Sequence, residues 1–285
     1  MNTPSTNAAA QSPSPILRVI LSGVTGWAGS ALAHGMLRQP DLQLVAGIAR
    51  SAAGKSIGQA LGTEASAAAS APILATAAEA CAVPADLFFE YSKPEVPTTT
   101  SSPALSAVST LTLATSGLTD EDYAEIDASA RSLGRGVLAC GNFAITAVLL
   151  LKFAEMAARY LPDVEVLDYA KASKVDVPSG TVRELVVRLG AARGSAQPAA
   201  VPLDQVRGPK ESRGAPMSGI PVHALRVPGY ALSVEAVFGA PDQRLQIRHD
   251  SGNSAEPYVD GALLAVRAVR GRIGLTRGLD RVMDV

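Results

Sequence analysis

Apolar residues in the first half of this 285-residue chain come in short blocks separated by helical patterns. The run ILRVILSGVTG (16–26) is continuously apolar and ends in glycines, as a parallel strand buried on both faces would. WAGSALAHGMLRQP then places apolar positions at helical spacing as far as Pro40. LQLVAGIAR (42–50), ADLFFEYS (85–92), STLTLATSG (109–117) and GVLACGNF (136–143) predict further strands. TDEDYAEIDASARSLG (119–134), with a Thr-x-x-Asp start, predicts a helix between the last two. Strands alternating with helices predict an α/β fold with an N-terminal parallel sheet covered on both faces.

The rhythm changes near residue 143. A long apolar helix, AITAVLLLKFAEMAARYL, leads into the strand DVEVLDYA (163–170). IPVHALRVP, YALSVEAVF and DQRLQIRHD read as consecutive antiparallel strands, and YVDGALLAVRAVRGRIG as a closing helix. The intervening segment 191–219 is rich in Pro, Gly and Ala and reads as a surface loop. This divides the chain into a tail (1–15), an N-terminal α/β domain (16–142) and a C-terminal α+β domain with a mixed or antiparallel sheet (143–251). There is no internal repeat.

Composition narrows the function. With 47% hydrophobic and 18% charged residues the chain is globular, and a net charge of −1 argues against a nucleic-acid binder that relies on bulk positive charge. No apolar run reaches the roughly 18 residues of a membrane span. The opening MNTPSTNAAAQSPSP has neither the basic start nor the apolar centre of a secretory signal, so it reads as a disordered tail and a cytoplasmic location is expected. Cys81 and Cys140 form no ligand spacing with the three histidines, so no metal site is expected.

GVTGWAG places Gly23, Gly26 and Gly29 between a strand and a helix. There the backbone of Gly23, Thr25, Gly26, Trp27, Ala28 and Gly29 can approach a pyrophosphate at the helix N-terminus. The spacing differs from G-x-G-x-x-G, and the plainer reading is an ordinary glycine-rich turn. The second predicted strand ends in AGIARSAAGK without the acid that would bind the ribose hydroxyls of NAD. Arg50, with Ser51, is placed to bind a 2′-phosphate, which points to NADPH, with NADH possible. A solvated loop arginine is the alternative. A second candidate site is YAKASKVDVPSGTVRELVVRLG (169–190), where two lysines precede a Pro-Ser-Gly-Thr turn that opens a helix. Such a turn can bind an anion or simply cap the helix.

These motifs together resemble the dihydrodipicolinate reductase family, the NAD(P)H-dependent reductases of bacterial lysine biosynthesis. VILSGVTGWAG, FFEYSKPEV, LATSGLTDED and ACGNF carry the resemblance in order, and KVDVPSGT is its most specific element. The resemblance implies a dinucleotide-binding Rossmann domain (16–142, with 252–285 returning to it) followed by a mixed α+β domain (143–251) that binds substrate and builds a homotetramer. It implies that Ser179, Gly180 and Thr181 bind a carboxylate of a cyclic imine or enamine, and that Lys174 occupies the active-site lysine position. Thr115, Ser116 and Gly117 would border the nicotinamide, and Asn142 and Phe143 would lie at the domain junction. The chain departs from the family at Ala170 and Lys171, which stand where the family has two histidines, the first regarded as the proton donor. Ala114 and Trp27 are further departures. Lys174 becomes the candidate proton donor, with Lys171 second and Tyr169 a further possibility. The expected activity is therefore NADPH-dependent reduction of a carboxylate-bearing imine with an altered substrate. The alternatives are the lysine-pathway reductase itself and an inactive nucleotide-binding paralogue.

Overall fold

A computed structural model describes residues 15–63, 67–92, 104–114, 118–194 and 201–283. Its first sheet has seven parallel strands in the order β12-β6-β5-β4-β1-β2-β3. These are β1 (Leu17–Ser22), β2 (Leu42–Ile48), β3 (Ile73–Leu74), β4 (Leu87–Glu90), β5 (Thr110–Leu113), β6 (Gly136–Ala139) and β12 (Gly274–Arg277). The continuous apolar runs follow from burial on both faces. Leu17, Val19 and Leu21 enter one core cluster while Ile20 enters another, and Phe89 and Phe88 divide in the same way. Strand order reverses direction at β1, which leaves a crevice beyond the C-terminal ends of β1 and β4.

Helix α1 (Trp27–Leu37) lies on this sheet, and α7 (Val259–Ala268) packs against it. A Cβ on Gly35 would sit 2.4 Å from Val259 Cγ1, so the glycine permits this close helix contact. Two short helices, α2 (Ile57–Leu61) and α3 (Ala77–Cys81), flank β3, and α4 (Asp120–Ser132) opens on a Thr119–Asp122 capping box. The sequence showed the C-terminal segment as one helix through Gly274. The helix instead ends at Ala268, and the chain then adds β12 to the edge of the first sheet beside β6. A four-residue strand at an edge carries too little periodicity to be seen beforehand.

The second sheet has the order β11-β10-β7-β9-β8 and is mixed. Its strands are β7 (Asp163–Ala170), β8 (Ala215–Met217), β9 (Ile220–Arg226), β10 (Leu232–Ala240) and β11 (Gln243–Ser251). One face is covered by α5 (Ile145–Ala158) and α6 (Gly180–Arg193), whose Leu150, Leu151, Leu185 and Leu189 meet Val164, Val166, Ala236 and Phe238. The three C-terminal runs are not the simple antiparallel succession expected. β10 and β11 do form a hairpin, but β7 lies between β9 and β10 and pairs with β9 in parallel. The connection through α6 is long enough for such a parallel return. That connection is also less irregular than its composition implies, because α6 runs to Arg193 and β8 lies within it.

Candidate active site

Between β1 and α1 the backbone packs against itself. Gly23 has φ +73°, and a Cβ there would lie 2.5 Å from the Tyr91 carbonyl oxygen. A Cβ on Gly29 would lie 2.0 Å from the Gly23 carbonyl oxygen. Both positions therefore require glycine, and the result is a tight turn against the end of β4. Gly26 is the N-cap residue of α1 and makes no side-chain cap, while Thr25, Gly26 and Trp27 are exposed. The first amides of α1, on Trp27, Ala28 and Gly29, thus open a helix that no side chain among the described residues caps. This cradle fits a dinucleotide diphosphate.

At the end of β2, Arg50 and Ser51 form an exposed turn of 3-10 helix (Arg50–Ala52) on the same edge of the sheet. No ion pair joins Arg50 to a carboxylate among the described residues. Thr115, Ser116 and Gly117 lie outside the described residues.

Asn142 and Phe143 follow β6 and do different things. Asn142 Oδ1 accepts from the Ala144 amide at 2.8 Å, and Asn142 Nδ2 donates to Thr181 Oγ1 at 3.4 Å. Phe143 is buried, with its ring 5.6 Å from Phe89 and 6.0 Å from Tyr91, centroid to centroid. Its side chain is spent in an aromatic cluster and its carbonyl lies against Gly261, so the residue shapes the junction from within the core. Burial pushes the Tyr91 phenol up, which keeps that hydroxyl protonated.

The second-sheet side of the site is the loop from β7 to α6. Ser179 caps α6, accepting from the Val182 amide at 3.4 Å, and its own amide donates to Asp168 Oδ2 at 2.7 Å. Ser179 is buried and these groups are committed within the protein, which leaves Gly180 and Thr181, exposed and half-buried, as the accessible part of the turn. Lys174 Nζ lies 2.6 Å from Asp176 Oδ1, and the neighbouring ammonium holds the Asp176 carboxyl below the usual carboxylate range. Lys171 is exposed and shares a small pocket with Trp27, Tyr258, Ser251 and Asn253, so it faces the nucleotide turn across the junction. Trp27 and Tyr258 meet edge to face at 5.8 Å. Tyr169 is removed from this group. Its hydroxyl donates to Glu235 at 2.9 Å, and its strand register places it on the face of the sheet that α5 and α6 do not cover.

Sequence reasoning did not single out Asp168 or Arg226. Arg226 Nη2 donates to Asp168 Oδ2 at 2.7 Å, and the arginine also reaches into the lysine loop. Asp168 opens the DYAKASK stretch and was a nearby clue, but nothing local marks an arginine on β9. Among the described residues no group of His, Cys, Asp and Glu could hold a metal, and no helix is long and apolar enough to cross a membrane.

Comparison with known proteins agrees over nearly the whole chain. Residues 17–143 match the family profile described as "Dihydrodipicolinate reductase, N-terminus", and residues 146–283 match "Dihydrodipicolinate reductase, C-terminus". A 4-hydroxy-tetrahydrodipicolinate reductase from Bacillus cereus is 33% identical over 271 residues, covering 94% of this chain and 99% of the relative. One from Listeria monocytogenes is 30% identical over 269 residues, covering 94% and 100%. A relative of the same name from Halalkalibacterium halodurans is 37% identical over 173 residues, covering 60% of this chain and 63% of the relative. Among solved structures, a dipicolinate-bound dihydrodipicolinate reductase from Paenisporosarcina sp. TG-14 superposes with a TM-score of 0.82 at 26% identity, covering 94% of this chain and all (100%) of that one. An amine dehydrogenase from Mycobacterium smegmatis, at 17% identity and a TM-score of 0.64, shares the fold.

Proposed function

The chain belongs to the dihydrodipicolinate reductase family, an NAD(P)H-dependent oxidoreductase, and from that premise we propose that it reduces 4-hydroxy-tetrahydrodipicolinate with NADPH. The observation that carries the reading is the meeting of the two sheets at one junction. Asn142, after β6, bonds Thr181 at the start of α6, and Lys171 lines a pocket with Trp27 of the nucleotide turn. A carboxylate held at Gly180 and Thr181 therefore lies next to the crevice in which a nicotinamide would be held.

The nicotinamide, when bound, supplies the hydride. The amides of Thr25, Trp27, Ala28 and Gly29 would hold the diphosphate, since those of Gly23 and Gly26 already donate to the Ile48 and Gly23 carbonyls, and Arg50 with Ser51 would take the 2′-phosphate that distinguishes NADPH from NADH. The amides of Gly180 and Thr181 and the Thr181 hydroxyl orient the substrate through its carboxylate. Lys174, kept in place by Asp176, is the proton donor to the reduced substrate, and Lys171 attracts the anionic substrate and cofactor across the junction. The open face of the second sheet, which carries Leu167 and Tyr169, is where we place contacts between copies in a tetramer.

A second reading keeps the same chemistry with another imino acid. It rests on Ala170, fully buried at the end of β7, where no side chain can give a proton. The lysine-pathway substrate takes precedence because relatives aligned from end to end carry that activity in their names, and Lys174 offers another proton source. Following NADPH oxidation with that substrate and with a panel of cyclic and acyclic imino acids separates the two readings. Efficient turnover of the lysine-pathway compound supports the first, and turnover of only another compound supports the second.

A further inference from the structure

Resting on the reading of Lys174 as an active-site residue, we propose that Arg226 is a positioning residue that sets the Lys174 ammonium by gripping both ends of the lysine loop. Arg226 lies on β9 in register with Ala170. Its Nη1 donates to the Asp168 carbonyl at 2.9 Å and to the Leu225 carbonyl at 3.0 Å. Its Nη2 donates to Asp168 Oδ2 at 2.7 Å and to the Asp176 carbonyl at 2.9 Å. One guanidinium thus ties the end of β7, where the loop leaves, to Asp176, where it returns toward α6.

Asp176 is also the residue that pairs with Lys174, at 2.6 Å. The path from Arg226 to the Lys174 ammonium is a single residue long: guanidinium to the Asp176 carbonyl, and Asp176 carboxylate to the lysine. Among the described residues the other hydrogen bonds of 172–178 are local, from the Lys174 amide to the Lys171 carbonyl and from Arg183 to the Pro178 carbonyl. Neither joins the loop to the sheet.

The pair is built as an anchor. The Asp168 side chain is fully buried and that of Arg226 is 14% exposed, and Asp168 Oδ2 also receives the Ser179 amide that begins α6. The planar fork reaches acceptors on both loop ends at once, which a lysine ammonium at the same place cannot do. Ala170, the register partner of Arg226 on β7, is fully buried and presents only a methyl group.

The test is a double-mutant cycle of Arg226→Lys and Lys174→Met, read by calorimetric binding of dipicolinate and by kcat for the proposed reduction. Arg226→Lys keeps a charge beside Asp168 and should leave NADPH affinity unchanged within about twofold, while dipicolinate affinity falls about tenfold. Because Arg226 acts through Lys174, the double variant should be no worse than Lys174→Met alone. Losses that multiply, or an Arg226→Lys variant that binds dipicolinate normally, would overturn the proposal. Arg226→Gln is the second variant. If neither Arg226 variant binds NADPH, the arginine is holding the fold and positioning is the wrong account. If the unmodified protein binds dipicolinate yet reduces no imino acid, the proposed reaction fails while the binding cycle still decides the role of Arg226. If it binds no dipicolinate, both fail.

Discussion

Asn142 Nδ2 donates to Thr181 Oγ1 across 3.4 Å, so a residue just beyond the nucleotide sheet touches the first turn of the substrate helix. The same side chain closes a turn on the Ala144 amide at 2.8 Å, which fixes it at the root of α5. Thr181 is thereby oriented from the other side of the junction. Asn142→Ala should lower kcat/KM by about fivefold to tenfold, the worth of one neutral hydrogen bond, with nucleotide affinity nearly unchanged. Steady-state kinetics and calorimetry on the same preparation check this, and an equal loss in nucleotide affinity would place Asn142 in the cofactor site instead.

Lys174 and Thr181 should separate kinetically. A hydroxyl at a helix start binds a carboxylate alike in the ground and transition states, so Thr181→Val should chiefly raise KM. Lys174 is assigned the proton and part of the hold on the substrate anion, so Lys174→Met should depress kcat by about a hundredfold or more as well as weaken dipicolinate binding. If both variants altered KM alone, Lys174 would be a binding residue.

Arg50 should select the cofactor. Arg50→Ala should weaken NADPH by about tenfold and leave NADH nearly unaffected, since only the former carries the phosphate that the guanidinium would pair with. Titration of each cofactor measures this directly. Equal affinities of the unmodified protein for NADPH and NADH would remove Arg50 from the site.

The buried imidazole of His249 gives the protein an acid-sensitive stability. Its Nδ1 lies 2.9 Å from Thr146 Oγ1, and burial lowers its pKa below the usual 6.5, against a smaller opposing pull from Asp250. The unfolded chain therefore binds more protons once the pH drops below about 6.5, so the stability from neutral His249 is lost as the pH falls through that value. Asp280 and Asp127, whose carboxyls are lowered, lose their contributions only below about 3.9, which keeps the two effects apart. Urea unfolding at pH 7.5 and 5.5 should show a larger loss for the unmodified protein than for His249→Gln. Parallel losses would assign the pH dependence to other groups.

The strand-turn-helix that forms the candidate nucleotide cradle was legible in the sequence because most of its signals are local. Three glycines in GVTGWAG lie between a strand and a helix, and Gly26 and Gly29 both pack against the Gly23 carbonyl, while Gly23 itself meets Tyr91 far along the chain. KVDVPSGT was legible for the same reason. What the sequence hid depends on distant contacts. Arg226 meets Asp168 across β7 and β9, Ser179 spends its amide on Asp168, and Phe143 is packed into an aromatic cluster. The order of the second sheet was hidden likewise. A strand that enters between two others shows the same alternation as one at the end of a meander, and only the pairing distinguishes them.

The central claim is that this junction reduces 4-hydroxy-tetrahydrodipicolinate. The most direct test is the initial rate of NADPH oxidation by the purified protein with that compound, set against a panel of other cyclic and acyclic imino acids. The account predicts a kcat/KM for it at least about tenfold above that of any other member of the panel, a difference of roughly 1.4 kcal/mol in transition-state binding. A background rate with it, alongside efficient turnover of another imino acid, would contradict the account and return the buried Ala170 to the centre of the explanation.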